Sequence, residues 1–173
     1  MSASATPQPG HAGPVIQALA ARGETIAVAE SLTGGALCSA LVAIPGASSV
    51  VRGAVVAYHN SVKQHLLGVD AQELSTLGPV TEQVALQMAR GVRSALELGG
   101  ADWGVATTGV AGPDPDPISG APAGIVFIAV VGPDGRQWSE RLGLVGARED
   151  IRQASVAYAL GLLERALGVK TAN

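Results

Sequence analysis

The stretch TIAVAESLTGG, residues 25–35, ends an apolar run in a carboxylate, two hydroxyls and two glycines. Its first half, TIAVA (25–29), does not alternate apolar with polar residues, so it reads as a short strand covered on both faces. A strand of that kind belongs to a sheet with helices on either side, and the flanking sequence should alternate accordingly. Upstream, PVIQALAARG (14–23) reads as a helix ended by Gly23. Downstream, GGALCSALVAIPG (34–46) reads as a helix stopped by Pro45 and Gly46. GAVVAY (53–58) is a second buried strand, and NSVKQHLLGV (60–69) a helix with Asn60 as its N-cap. DAQEL (70–74) opens with an Asp70/Glu73 pair of the capping-box type. TEQVALQMARGVRSALEL (81–98) is the clearest helix, capped by Thr81, with Val84, Met88, Val92 and Leu96 along one stripe.

WGVATTG (103–109) is a third strand, followed by the Gly/Pro loop GVAGPDPDPISGAPAG (109–124). IVFIAVVGPDGRQWSERLGLV (125–145) reads as two strands joined at the turn signal GPDG, and a long helix runs from about Ala147 to Leu167. The expected fold is α/β: a three-layer α/β/α sandwich around a mixed, mostly parallel five-stranded sheet. The expected organisation is one domain over residues 13–168, with a loose N-terminal tail (1–12) and a short C-terminal tail (169–173).

Composition narrows the function. The chain has 173 residues, 47% of them apolar but only 3% aromatic, so the core is built from Val, Leu, Ile and Ala. The net charge of −3 is mild and the arginines are scattered, which argues against nucleic-acid binding. A single cysteine, Cys38, excludes an internal disulfide framework and a Cys-rich zinc site; it reads as a buried thiol in an apolar helix. His11, His59 and His65 form no metal signature, so no metal and no cofactor are expected. The first residues carry no signal-peptide pattern, and the longest apolar run, IVFIAVV (125–131), is far short of the about 20 residues that span a bilayer. A cytoplasmic protein without membrane partners is expected. The Ala/Leu-rich helices leave room for a homo-oligomer, a dimer being favoured.

Ligands of open α/β sheets collect beyond the carboxyl ends of the strands. Three segments end a strand in small and polar residues: AESLTGG, AYHNSVK and TTGVAGPDPD. If the first three strands are parallel, all three lie on one edge of the sheet. Ser31 or Thr33 is either a helix cap or part of a site. Gly34 and Gly35 disfavour a helix start unless a ligand approaches their N–H groups. Lys63 is one of only two lysines beside nine arginines, and lysine differs from arginine in being able to lose its proton when buried. Tyr58 is a core residue or orients Lys63 or a substrate. Ser31 and His59 are conceivable partners by position, but no third carboxylate is evident. Ser31 with Lys63 needs none: a hydroxyl, a desolvatable base and nearby N–H groups suffice.

With these residues in hand, AESLTGG (29–35), IPGASSVVRGAVVAYHNSVKQHLLGV (44–69), GPVTEQVALQMARG (78–91), TTGVAGPD (107–114) and GAREDIR (146–152) resemble the C-terminal domain of the competence/damage-inducible CinA family. Stand-alone members of that family are nicotinamide mononucleotide (NMN) deamidases. The resemblance spans about residues 13–168. It implies hydrolysis of NMN to nicotinic acid mononucleotide and ammonia, with Ser31 as nucleophile, Lys63 as general base and Tyr58 close by. Backbone N–H groups around Thr33, Gly34 and Gly35 then hold the oxyanion, and Glu30 holds the loop or bonds a ribose hydroxyl. The phosphate falls to Thr107, Thr108, Gly109, Gly112 and Arg148, although Arg148 could instead pair with Glu149 or Asp150.

One segment departs from the family. After AGP the usual text is a glycine run, a Lys-Pro pair and GTV; here it is DPDPISGAPAGIV (114–126), with Ala121 in place of the lysine and Ile125 in place of the threonine. Asp114 and Asp116 add negative charge near the expected phosphate site. An amidase for a related carboxamide, or a non-catalytic module that binds a nucleotide or a partner, are the alternatives this loop keeps open. Larger family members carry a nucleotide-pyrophosphatase module ahead of this domain, and no such activity is expected here.

Overall fold

The computed structural model describes residues 10–95 and 99–169. In chain order these form α1 (Ala12–Arg22), β1 (Ile26–Glu30), α2 (Ala36–Val42), a 3₁₀ turn (Ala47–Ser49), β2 (Val51–Val56), α3 (Asn60–Leu67), α4 (Ala71–Thr76), α5 (Glu82–Ala95), β3 (Trp103–Gly109), β4 (Ile125–Val131), β5 (Gln137–Gly143) and α6 (Arg148–Ala166). The sheet order is β2-β1-β3-β4-β5. β1 lies parallel to β2 and β3, while β4 runs antiparallel to β3 and β5. The sheet is therefore mixed, with β4 alone reversed.

The two faces of the sheet differ in side-chain size. Ile26, Val28, Val105, Val126, Ile128 and Val130 point to the face covered by α1, α2 and α6. Ala27, Ala29, Ala106 and Ala129 point to the face covered by α3 and α5. Large β-branched residues hold one helical layer at a distance, whereas the alanine face lets α5 settle close to the strands. Gly91 in α5 marks how close this layer packs: a Cβ there would lie 1.9 Å from the backbone oxygen of Leu67, at the end of α3.

Local signals explain the element ends. Gly23 closes α1 in the left-handed conformation, and Gly68 closes α3 likewise. Asp70 caps α4 by accepting from Glu73 N–H at 2.8 Å, and Thr81 caps α5 by accepting from Val84 N–H at 3.0 Å. The N-cap of α3 is His59, whose Nδ1 accepts from Ser61 N–H, and Asn60 is the first helical residue instead of the cap. The segment expected as a second buried strand is β2, which spans 51–56 and is half-exposed because it forms an edge of the sheet. Of the stripe on α5, Val84, Met88 and Val92 are buried; Leu96 lies outside the described residues.

The described structure begins at Gly10, within the segment expected as the N-terminal tail. Gly10 is buried and its N–H donates to Ala157 O at 2.8 Å, His11 N–H donates to Glu164 Oε1 at 2.9 Å, and α1 begins at Ala12. Residues 1–9 lie outside the described region, as do 170–173, while Val169 still packs against the core. No helix among the described residues is long and apolar enough to cross a membrane.

Candidate active site

β1, β2 and β3 are parallel, so Glu30, Val56 and Gly109 end on one edge of the sheet. The chain leaves β1 for α2 on one face and leaves β2 for α3 on the other, which opens a crevice at that edge. The turn after β1 is held from within. Glu30 is fully buried; its Oε2 accepts from Gly35 N–H and Leu37 N–H, each at 3.0 Å, and its Oε1 accepts from Cys38 N–H at 2.8 Å. A carboxylate thus satisfies the unpaired N–H groups of the first turn of α2. Positive φ at Gly34 (61°) and Gly35 (99°) bends the chain so that these groups converge on it.

The N–H groups of both glycines are used within the turn. Gly34 N–H donates to Ser31 O at 3.1 Å, and Gly35 N–H is spent on the carboxylate. Thr33 is buried, its hydroxyl 2.8 Å from that of Thr107. Of the residues expected at the substrate, the side chains of Glu30, Thr33 and Thr107 and the two glycines, Gly34 and Gly35, do not line the cavity, while Thr33 N–H, next to Leu32 of the lining, has no acceptor among the described residues. Cys38 is half-buried, and burial together with the Glu30 charge pushes its thiol pKa up.

Ser31 N–H donates to Thr107 O at 3.0 Å, which fixes the serine to β3. From α6, Arg152 donates Nε–H to Leu32 O at 3.1 Å and an Nη2 proton to Thr33 O at 3.0 Å. Both carbonyls of the turn thus face α6. The N–H groups of Leu32 and Thr33 have no acceptor among the described residues.

Lys63 lies in α3, one helical turn after the His59 cap, and is 1% exposed. Its Nζ donates to Ala57 O at 2.8 Å and to Ser31 Oγ at 3.1 Å. Burial drives its pKa from 10.5 down to about 8, against a smaller upward pull from Asp116. His59, the other conceivable partner for Ser31, instead has its Nδ1 2.8 Å from Ser61 Oγ.

Ser31 and Lys63 open on a cavity of about 390 Å³, a size typical of small-ligand sites. Leu32, Tyr58, Thr108, Gly109, Gly112 and Arg148 line it too, as does the loop 114–118. The Thr108 hydroxyl is spent on Pro79 O at 2.7 Å. Tyr58 is 62% exposed and does not reach Lys63; its hydroxyl accepts from Arg148 Nη2 at 2.9 Å. Arg148 also donates to Gly112 O at 2.7 Å. Neither neighbouring acid pairs with Arg148. Glu149 forms an ion pair with Arg152, and Asp150 accepts from Ala147 N–H at 2.9 Å. Among the described residues no carboxylate lies within ion-pair distance of Arg148, and no cluster of three or more metal-ligating side chains occurs.

Arg152 and the Ala57 carbonyl were not among the candidate residues. Arg152 acts across 120 residues of chain, and the role of Ala57 is carried by its backbone, which composition cannot mark. The GAREDIR segment, with two arginines in the first turns of a helix, was the one available hint.

The model of the CinA C-terminal domain matches residues 10–167. A CinA-like protein of Gloeobacter violaceus is 51% identical over 144 residues, 83% of this chain and 33% of its own length. Another from Synechococcus is 47% identical over 150 residues, covering 86% of this chain and 35% of its own. The chain thus spans about a third of the length of the curated relatives it matches. Among solved structures, a competence/damage inducible protein of Agrobacterium tumefaciens superposes with a TM-score of 0.80 at 34% identity, over 90% of this chain and 96% of that one. A CinA superfamily protein of Escherichia coli superposes with a TM-score of 0.83 at 30% identity, over 90% and 87% of the two chains. The chain belongs to the CinA C-terminal domain family.

Proposed function

We propose that this member of the CinA C-terminal domain family is an amidohydrolase that converts NMN and water into nicotinic acid mononucleotide and ammonia. The observation that carries the reading is the buried Lys63 amine, 3.1 Å from Ser31 Oγ and with its pKa lowered to about 8. An ammonium held there costs free energy, and its neutral form is a base beside a hydroxyl.

In the neutral state the hydrogen bond reverses: Ser31 Oγ–H donates to the Nζ lone pair while Nζ–H still donates to Ala57 O. Ser31 Oγ bonds to the carboxamide carbon as Lys63 takes its proton, and the carbonyl electron pair moves onto oxygen. The N–H groups of Leu32 and Thr33 are the unspent donors beside Ser31. Each donor to the oxyanion contributes about 10²–10³ in rate. Collapse of the tetrahedral adduct breaks the C–N bond, and the leaving amine takes the proton from Lys63 and departs as ammonia. Water then attacks the Ser31 ester, giving one proton to Lys63, which returns it to Oγ as the acid leaves.

Arg148 suits the phosphate. It lies on the cavity wall, held by Gly112 O and Tyr58 Oη, and its charge has no carboxylate partner among the described residues. A guanidinium in that state grips a phosphate by paired N–H bonds. Tyr58 then acts by orienting Arg148 instead of touching Lys63.

The deciding experiment is ammonia release from NMN by the wild type beside Ser31→Ala. Release that disappears in the variant supports the reading. A folded wild type that releases none overturns it, and Lys63→Arg, which keeps the charge but cannot yield its proton, separates catalysis from binding.

A further inference from the structure

The amide chemistry leaves two charged groups on the cavity wall unexplained, Asp114 at its exposed rim and the half-buried Asp116. Asp116 lines the same cavity as Ser31 and Lys63, on the loop that sets this chain apart from the usual family pattern. Its Oδ1 accepts from Ser119 N–H and Ser119 Oγ–H, both at 2.7 Å, and from Ile118 N–H at 3.2 Å. Its Oδ2 has no hydrogen-bond partner among the described residues, and no basic side chain lies within ion-pair distance. The turn of the loop needs only one oxygen, and that need is equally met by an asparagine. What asparagine would not supply is the charge.

Asp116 and Arg148 therefore give one cavity two opposite charges that do not neutralise each other. Lys63 feels the Asp116 charge, but its Nζ is spent on Ala57 O and Ser31 Oγ and lies beyond ion-pair distance of the carboxylate. A ligand with an anionic end and a cationic end answers both demands. We infer that Asp116 is a specificity-determining residue that selects a permanently cationic, carboxamide-bearing ring over its neutral counterpart, while Arg148 takes the anionic end. This inference rests on the amidase reading of Ser31 and Lys63. The ligand class is a zwitterionic pyridinium nucleotide, and reduction of the ring to a dihydropyridine removes the positive charge with the phosphate and the carboxamide kept.

The test uses Ser31→Ala protein, in which no turnover can occur, and titrates NMN and its reduced, neutral-ring form by calorimetry. With Asp116 intact, NMN should bind about tenfold more tightly, the size expected of one partly desolvated charge pair. With Asp116→Asn added, the preference should fall to about one while affinity for the neutral ring stays unchanged. Equal binding of the two ligands with Asp116 intact overturns the inference, as does a preference that survives Asp116→Asn, or binding of neither at millimolar ligand. Ammonia release by the wild type is read separately. Its absence removes the deamidase reading but leaves the charge preference standing or falling on the titrations.

Discussion

The turn 31–35 and the loop 112–120 both border the cavity and are built in opposite ways. The turn is held from across the molecule: by Thr107 of β3 through Ser31 N–H, by Arg152 of α6 through two carbonyls, and by the buried Glu30 through three N–H groups. Beyond Gly112, whose carbonyl accepts from Arg148 of α6, the loop is held by itself. Asp116 N–H donates to Ala121 O, Gly120 N–H donates to Asp116 O, and the Asp116 carboxylate serves residues 118 and 119. Long-range contacts fix atoms to within the fraction of an ångström that bond making requires. Local contacts leave a segment free to change sequence without disturbing the core. In the proposed reading the nucleophile accordingly lies on the turn, and the Asp116 charge that selects the ligand lies on the loop.

The largest expected effect is at the amine. Lys63→Arg should lower kcat for amide hydrolysis by at least about 10³-fold, measured as ammonia release, with NMN binding retained. Residual activity within tenfold of wild type would show that the turn works without this base. Next, Arg152→Ala frees the two carbonyls that face α6 and so loosens the peptide carrying Thr33 N–H. A fall in kcat of about 10–100-fold with KM nearly unchanged is expected, partly restored in Arg152→Lys. A change confined to KM would move Arg152 from the turn's side of the comparison to the loop's.

The third effect is on pH. Only the neutral amine is a base, so kcat should rise about tenfold per pH unit below 8 and level off above it, following the Lys63 pKa of about 8. A profile flat from pH 6 to 9, in single-turnover conditions that exclude product release, would count against Lys63. The same shift has a thermodynamic side. The folded-state pKa lies below the ordinary 10.5, so the unfolded chain holds the proton more tightly. The cost to folding, roughly 3 kcal/mol at about 1.4 kcal/mol per unit, is fully present below pH 8 and is relieved as pH rises towards 10.5. Lys63→Met should therefore raise Tm at pH 7 and lose that advantage at alkaline pH. The smallest effect belongs to the loop: Asp114→Asn, at an exposed rim position, should alter KM for NMN by no more than a fewfold and leave kcat and Tm alone.

Sequence legibility followed the same division. β1, β3 and the β4–β5 hairpin were readable because apolar runs and turn residues are local signals, and the sheet they form has the expected order of directions. The exposure of β2 was not readable, since an edge strand and a central one differ only in what lies beside them. Ser31 and Lys63 stood out by residue type against a composition poor in lysine, and the structure places them in contact. Glu30 and the two glycines also stood out, but for a reason composition does not distinguish. A carboxylate that ties down a helix start and one that meets a ribose use the same letters. The letters around Arg148 fit a phosphate and its neighbouring acids equally, and only the geometry shows both acids engaged elsewhere.

The seam at Gly91 bears on how such a protein can vary over generations. A methyl group at 91 would drive into the main chain of Leu67, which cannot turn aside as a side chain can, and Leu67 closes the helix that carries Lys63. The 3.1 Å between amine and hydroxyl is thus partly written at a residue that touches neither. Descendants of this chain are free to rewrite the rim of the cavity letter by letter. To change position 91 they must shift a helix and re-register a layer in the same step, so drift there is blocked long before selection on any substrate is felt.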